Sequence, residues 1–232
     1  MKMFITAIAI SATLFAATTT HAADVIGGQT NVLLDTGALA SAASLNLSGV
    51  SGDVIAPGDL GAGSVAFPIN ARDAAAPQLP TTFSYATGTL APFSGAIEHT
   101  GEVFFDTDDS DGTTSMDAIV GDFTIGFDAA RVGTLSGLAS GFFVESTTGI
   151  AAILFDIENP SALDATGDSL SITANLLVSP EFAGFLQTNN LATSDLSGAD
   201  VGDALVAGIA VPEPTSLTLI GLSLLGLGYR RR

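Results

Sequence analysis

The sequence predicts an all-β domain, an antiparallel β-sandwich with jelly-roll or Greek-key-like connections. Three observations carry that prediction. Residues 169–178 (SLSITANLLV) alternate polar and apolar through most of their length, the period of a half-buried strand. Several shorter stretches repeat the pattern, and clusters of Gly, Asp, Ser, Thr and Asn punctuate them at Gly49–Asp53, Asp106–Thr114, Asn159–Ser161 and Asp164–Ser169. Helix-start signals, by contrast, are scarce.

Taken in chain order, Leu45 and Leu47 open the series of short strands. Residues 51–80, which contain Pro57, Pro68, Pro77 and Pro80, read as a long irregular connection or edge. Phe83 with Tyr85, then Val103 with Phe105, supply two further strands, and Phe123, Ile125 and Phe127 alternate with Asp122, Thr124 and Gly126. Ile150–Ile157 is a denser apolar run and fits a central strand covered on both faces. In Ser179–Leu186, Ser179 suits an N-cap, Pro180 the first helical position and Glu181 the positive helix end, which predicts one short helix over an open end of the sandwich. Twelve of the fourteen Phe residues lie between residues 23 and 210 and are read as core. Burial at ~1.5–3 kcal/mol each lets them support a domain without disulfides. No fixed-period repeat is present, which argues against a solenoid.

Charge and its placement narrow the function classes. The 232 residues hold 24 Asp and Glu against 6 Lys and Arg, a net charge of −18, with a mean hydropathy of +0.50. An acidic chain lacks the clustered Lys and Arg that phosphate contacts need, so nucleic acid is excluded as a partner. The absence of cysteine excludes disulfides, thiolate zinc sites, iron–sulfur ligation and cysteine nucleophiles. With 47% hydrophobic residues the chain is too apolar for a disordered acidic tail.

The basic residues are Lys2, Arg72, Arg131, Arg230, Arg231 and Arg232, so four of the six sit at the two ends. Lys2 precedes an uncharged apolar run, Phe4–Ala17, and a small-residue segment, Thr18–Ala22, with Thr20 and Ala22 at the −3 and −1 positions of a cut. That is the layout of a secretory signal peptide over residues 1–22, handled by a Sec-type translocon, with cleavage after Ala22 and Ala23 as the mature N-terminus. At the other end Val211, Pro212, Glu213 and Pro214 form an extended box, because two prolines at this spacing forbid a helix across it. Residues 215–228 form an apolar segment that Thr215 or Ser216 suits as an N-cap. A helix there rises about 21 Å, short of the ~30 Å hydrocarbon core, with snorkelling arginines and Tyr229 closing part of the gap. Arginines after the apolar run hold the C-terminus in the cytoplasm and place the rest of the chain outside, the topology that a signal peptide also demands.

Box, apolar helix and arginine cluster, in that order at the terminus, resemble the PEP-CTERM protein-sorting signal of Gram-negative bacteria, over residues 211–232. The box is Val211, Pro212, Glu213 and Pro214, and the cluster Arg230, Arg231 and Arg232. The same tail is also known as an ice-binding protein C-terminal domain, a label for the tail and not for an activity. The resemblance implies processing by an exosortase, a membrane transpeptidase that recognises the box and removes the tail. It also implies a membrane-anchored precursor, a final place at the cell surface or in the extracellular matrix, and association with exopolysaccharide or biofilm. Residues 122–156 look like the β domain common in such surface proteins, a likeness that bears on architecture alone. Residues 23–210 are then the secreted acidic domain, whose 23 acids and two arginines give it a net charge of −21.

Within that domain chemistry is tested by subtraction. There is no Lys, no Cys and a single His, His99, so a P-loop, a lysine Schiff base and a cysteine protease site are excluded, and no G-x-S-x-G elbow occurs. On an alternating strand Ile97, His99 and Gly101 share one face and Glu98, Thr100 and Glu102 the other, which turns both carboxylates away from the histidine. Four residues of strand also set Glu98 and Glu102 about 13 Å apart, beyond the spacing of a glycosidase pair. No catalytic residue is therefore assigned. The plausible metal site is a calcium loop over Asp106, Asp108, Ser110, Asp111 and Asp117, where Asp106, Asp108 and Ser110 match alternate ligand positions. Gly112 and Asp117 depart from the EF-hand pattern, and a solvated acidic hairpin turn between Phe105 and Ile119 is the better fit.

The expectation that follows is a secreted, exosortase-sorted, non-enzymatic surface or matrix protein without a required cofactor. A calcium-, glycan- or ice-binding module and a matrix-remodelling hydrolase are its competitors. The Thr residues show no regular array of the kind ice would need, and Tyr85 is the only amphipathic aromatic available to a glycan in the domain.

Overall fold

The computed structural model describes residues 22–107 and 118–213, which form mostly antiparallel β-strands with a few short helices. The strands are β1 (Ala22–Leu34), β2 (Asn46–Val50), β3 (Val65–Pro68), β4 (Ser84–Ala86), β5 (Pro92–Ser94), β6 (Ile97–Glu98) and β7 (Glu102–Asp106). They continue as β8 (Ala118–Phe127), β9 (Ala139–Gly149), β10 (Ala152–Glu158), β11 (Ala162–Ala165), β12 (Ser169–Val178) and β13 (Asp200–Pro212). Helix α1 (Thr36–Ala43) follows β1, and α2 (Pro180–Thr188) joins β12 to the last segment.

All pairings are antiparallel, along one hydrogen-bonded path that runs β2-β7-β8-β9-β10-β12-β13-β1-β4-β5. Three short strands lie beside it: β3 on β1, β6 on β8 and β11 on β12. The sheet curls, and the curl comes round on itself. Ile69, just past β3, bridges His99, just past β6, and Asn70 N–H donates to Glu98 O at 2.7 Å. The pairings thus make a circuit through β1, β3, β6, β8, β9, β10, β12 and β13. The two walls expected of a sandwich are parts of one curled antiparallel sheet.

The sequence explains the strands. In β12 every second residue turns inward, so Leu170, Ile172, Ala174 and Leu176 are buried between half-exposed neighbours. β10 is central, between β9 and β12, as its dense apolar run predicts. The predicted helix is α2. Ser179 Oγ accepts from Phe182 N–H at 3.0 Å and donates to Ile153 O at 2.6 Å, while Phe182, Ala183 and Leu186 bury their side chains against the core. Several residues read as core are not: Phe104 and Phe143 lie outside the core cluster. Leu47 is pushed out by an irregularity between Leu47 and Gly49, and Phe127, at the last position of β8, is 37% exposed.

The inward faces enclose a cavity of about 80 Å³. Its wall is drawn from most strands of the circuit and is almost entirely carbon.

Candidate functional site: the paired ends of the domain

β1 begins where the sequence places the leader cut, and β13 ends inside the box. The two strands run antiparallel, with Ala23 opposite Pro212, Asp24 opposite Val211 and Val25 opposite Ala210. Glu213 N–H donates to Ala22 O at 2.9 Å and extends the ladder by one more bond. On its other side the start of β1 pairs with β4, Ala22 opposite Ala86 and Ala23 opposite Tyr85, so Ala23 is an interior strand residue with 0% exposure.

The box is held differently. β12 pairs with β13 only as far as Ile209, with one further bond from Ala210 N–H to Asp168 O. Beyond that point Val211, Pro212 and Glu213 are exposed and depend on β1 alone. A proline is tolerated there because it ends the strand and has no N–H to offer a neighbour. Its ring lies over Gly167, where an added Cβ would come within 3.0 Å of Pro212 Cγ. Asp24 is fixed from outside by an ion pair with Arg72. Pro214, Arg230, Arg231 and Arg232 lie outside the described residues, as does the apolar segment 215–228. No helix among the described residues is long and apolar enough to cross a membrane.

The other singled-out residues are placed as follows. His99 is 3% exposed, between β6 and β7, with Nδ1 at 2.9 Å from Phe123 O and Nε2 at 2.7 Å from Thr30 Oγ1. Both ring nitrogens are engaged, and neither partner is a carboxylate. Burial pulls its pKa down to about 4, against the opposing pull of Phe123 O. Glu98 accepts from Thr124 Oγ1 at 2.6 Å, and its pKa is raised, first by burial and also by the Glu145 charge. Tyr85 is wholly buried and donates to Thr166 O at 2.7 Å, so it offers no platform to a sugar. Asp106 is the last residue of β7, while Asp108, Ser110, Asp111 and Asp117 of the calcium loop lie outside the described residues. Among the described residues no three His, Asp or Glu side chains are grouped to hold a metal ion.

Ion pairing of the two domain arginines was not foreseen, although their scarcity in an acidic domain was the available signal. Arg131 makes a two-pronged bond to Asp156, at 2.7 and 3.0 Å, and a second to Glu181 of α2, at 2.7 and 2.9 Å.

Residues 210–232 match the family model of the PEP-CTERM protein-sorting motif, so the chain carries that motif. No curated protein matches the chain. Among solved structures it is similar to the crystal structure of the C-terminal domain of HtaA from Corynebacterium glutamicum, with 14% sequence identity and a TM-score of 0.45 over 81% of this chain and 99% of that one.

Proposed function

We propose that this chain is an exported surface or matrix protein, delivered by an exosortase and carrying a non-catalytic acidic β domain. The observation that carries the reading is the PEP-CTERM motif at residues 210–232, which implies exosortase processing of a membrane-anchored precursor. The domain's position on the outer side follows from the leader before Ala23 and the arginines after residue 228. Its partners after processing are exopolysaccharide or other matrix components.

The paired ends order the two processing steps. In the folded domain the Ala22–Ala23 bond lies within a strand flanked by β13 and β4. Leader cleavage at that bond therefore precedes the pairing of β1. Cleavage also removes Ala22, and with it the carbonyl that Glu213 N–H holds. The mature sheet then stops at the Ala23–Pro212 pair, which frees the box from Glu213 onward for the exosortase.

Fractionation and mass spectrometry of the native protein test the reading. The expected surface-exposed form begins at Ala23, lacks Arg232 and co-purifies with polysaccharide. Intact Arg232 on that form overturns tail removal, and Met1 on exported material overturns the leader.

A further inference from the structure

We propose that the interior of the strand circuit is a binding site for one small, uncharged, apolar molecule without hydrogen-bonding groups. Protein interiors pack as densely as organic crystals and leave few voids larger than a water molecule. A water needs roughly 10–15 Å³ of such space and two to four polar partners. The cavity offers about 80 Å³. The polar pair in its wall, Thr30 and His99, bonds itself and Phe123 O and leaves only the Thr30 hydroxyl oxygen as a further acceptor, fewer partners than a water needs. Water is therefore poorly held there, whereas apolar cavities of about 150 Å³ take up benzene or xenon.

The space is built into the fold. Ala174 of β12 and Ala204 of β13 stand directly opposite one another, and both line the cavity. Two methyl side chains occupy positions where Leu or Ile would fill the interior. The walls do not close over the gap because β12 and β13 are held in a ladder from Ser169–Ile209 onward, and the circuit ties that ladder back to β1 and β8. Circuits of this strand number are the size class in which side chains just fill the interior or leave room for one small ligand.

An apolar patch backs the cavity wall from outside. Phe142 lines the cavity and meets Phe127 edge-on, with ring centroids 5.1 Å apart. Phe127 is 37% and Val132 54% exposed, and both lie over Gly141, where an added Cβ would meet each at 2.7 Å. The turn beyond Val132 has left-handed backbone at Leu135 and Ser136, which are not glycines. An exposed apolar patch thus stands outside the very ring that forms the cavity wall.

Xenon is the probe, titrated under pressure into the full chain with 13C-labelled methyl groups. The expected result is saturable shifts at Ala174, Ala204, Leu154 and Val206, with Ile209 and Val211 on the surface unmoved. Ala174→Val, which fills part of the space, is expected to weaken saturation about tenfold while the thermal midpoint stays equal or rises. Ala204→Val repeats the test from the opposite strand if the first variant fails to fold. Non-saturable shifts spread over surface and tail methyls overturn the proposal. So does a filled variant that folds and binds xenon as tightly as the parent.

Discussion

Thr30 donates its hydroxyl to Nε2 of His99 across 2.7 Å, joining β1 to the seam at which the sheet closes. The tautomer follows from the partners. Phe123 O, 2.9 Å from Nδ1, accepts only, so Nδ1 carries the proton and Nε2 is the acceptor. A second proton on the ring would place a positive charge in a buried, apolar surrounding with no carboxylate partner. The ring therefore stays neutral, with its pKa lowered from 6.5 to about 4.

Stability is accordingly expected to fall with pH. His99 takes up a proton near pH 6.5 when unfolded but only near 4 when folded, so the unfolded chain binds more protons throughout that window. The contribution is fully present above pH 6.5 and is lost progressively below it, by about 3 kcal/mol at pH 4. Glu98, with its raised pKa, acts in the opposite direction toward the acid end. Urea denaturation from pH 7 to 5 measures the slope, which His99→Gln is expected to flatten. Equal slopes in parent and variant refute the assignment.

How much of this was legible in the sequence depends on whether the signal is local. β12 and α2 were readable because alternation, an N-cap serine and a first-turn proline are properties of neighbouring residues. Helix α1 was not. Its sequence TGALASAA buries only Leu39 and Ala43, too weak a stripe to register, and the cap from Asp35 Oδ1 to Ala38 N–H was the sole local cue. The closure of the sheet was invisible for another reason. Inward–outward alternation is the same in a sandwich wall and in a curled sheet, and the bonds across the seam, Ile69 with His99 and Asn70 N–H to Glu98 O, distinguish them. Small Ala22 and Ala23 suit a leader cut as well as the strand they form, and Val211 a box as well as a strand, so residue type alone does not separate the two readings.

Arg131 is expected to be the domain's most sensitive charged residue. Asp156 is 1% exposed and receives both prongs of the guanidinium, which also lies 5.7 Å from the Phe143 ring centre. Arg131→Met leaves a buried, unpaired carboxylate and is expected to cost about 3–5 kcal/mol. Adding Asp156→Leu is expected to recover most of that loss. Glu181→Gln, at a side chain 45% exposed, is expected to change stability by about 1 kcal/mol or less. The Arg131 hydrogen bonds hold Glu181 at a pKa of about 2, so its contribution is present above pH 4.5 and fades as pH falls toward 2. Urea midpoints of the three variants check the order.

Gly28 and Gly202 are expected to resist any side chain. Gly28 lies in the middle of the β1–β13 ladder, opposite Gly208, and Gly202 at its far end, opposite Leu34, with φ of 120° and 148°. An added Cβ would fall 2.2 Å from Ala207 O at Gly28 and 2.3 Å from Leu33 O at Gly202, both backbone atoms of the partner strand. Relief requires the strands to part, so Gly28→Ala and Gly202→Ala are each expected to destabilise by about 2 kcal/mol or more. Gly27→Ala, next in sequence with open space at its Cβ, is the control and is expected to stay within about 1 kcal/mol by thermal melting.

Removal of the tail is expected to leave the domain intact, and the limit of tolerated trimming lies within β13. Up to Ile209 that strand is held on both sides, by β12 and β1, and it buries Val201, Ala204, Val206 and Ala210. From Val211 onward it has one neighbour and exposed side chains. A chain ending at Pro214 therefore loses nothing the described fold uses, and its thermal midpoint is expected to match the full chain's within about 2 °C. A chain ending at Ala204 forfeits Val206, at ~1.5–3 kcal/mol, together with much of the ladder to both neighbours at about 1 kcal/mol per bond. Those losses are comparable to the ~5–15 kcal/mol that holds a domain folded, so this chain is expected to be unfolded at 25 °C. Circular dichroism of the two truncations decides the matter: a folded chain ending at Ala204 would show that β13 is not the strand that joins the two arms of the circuit.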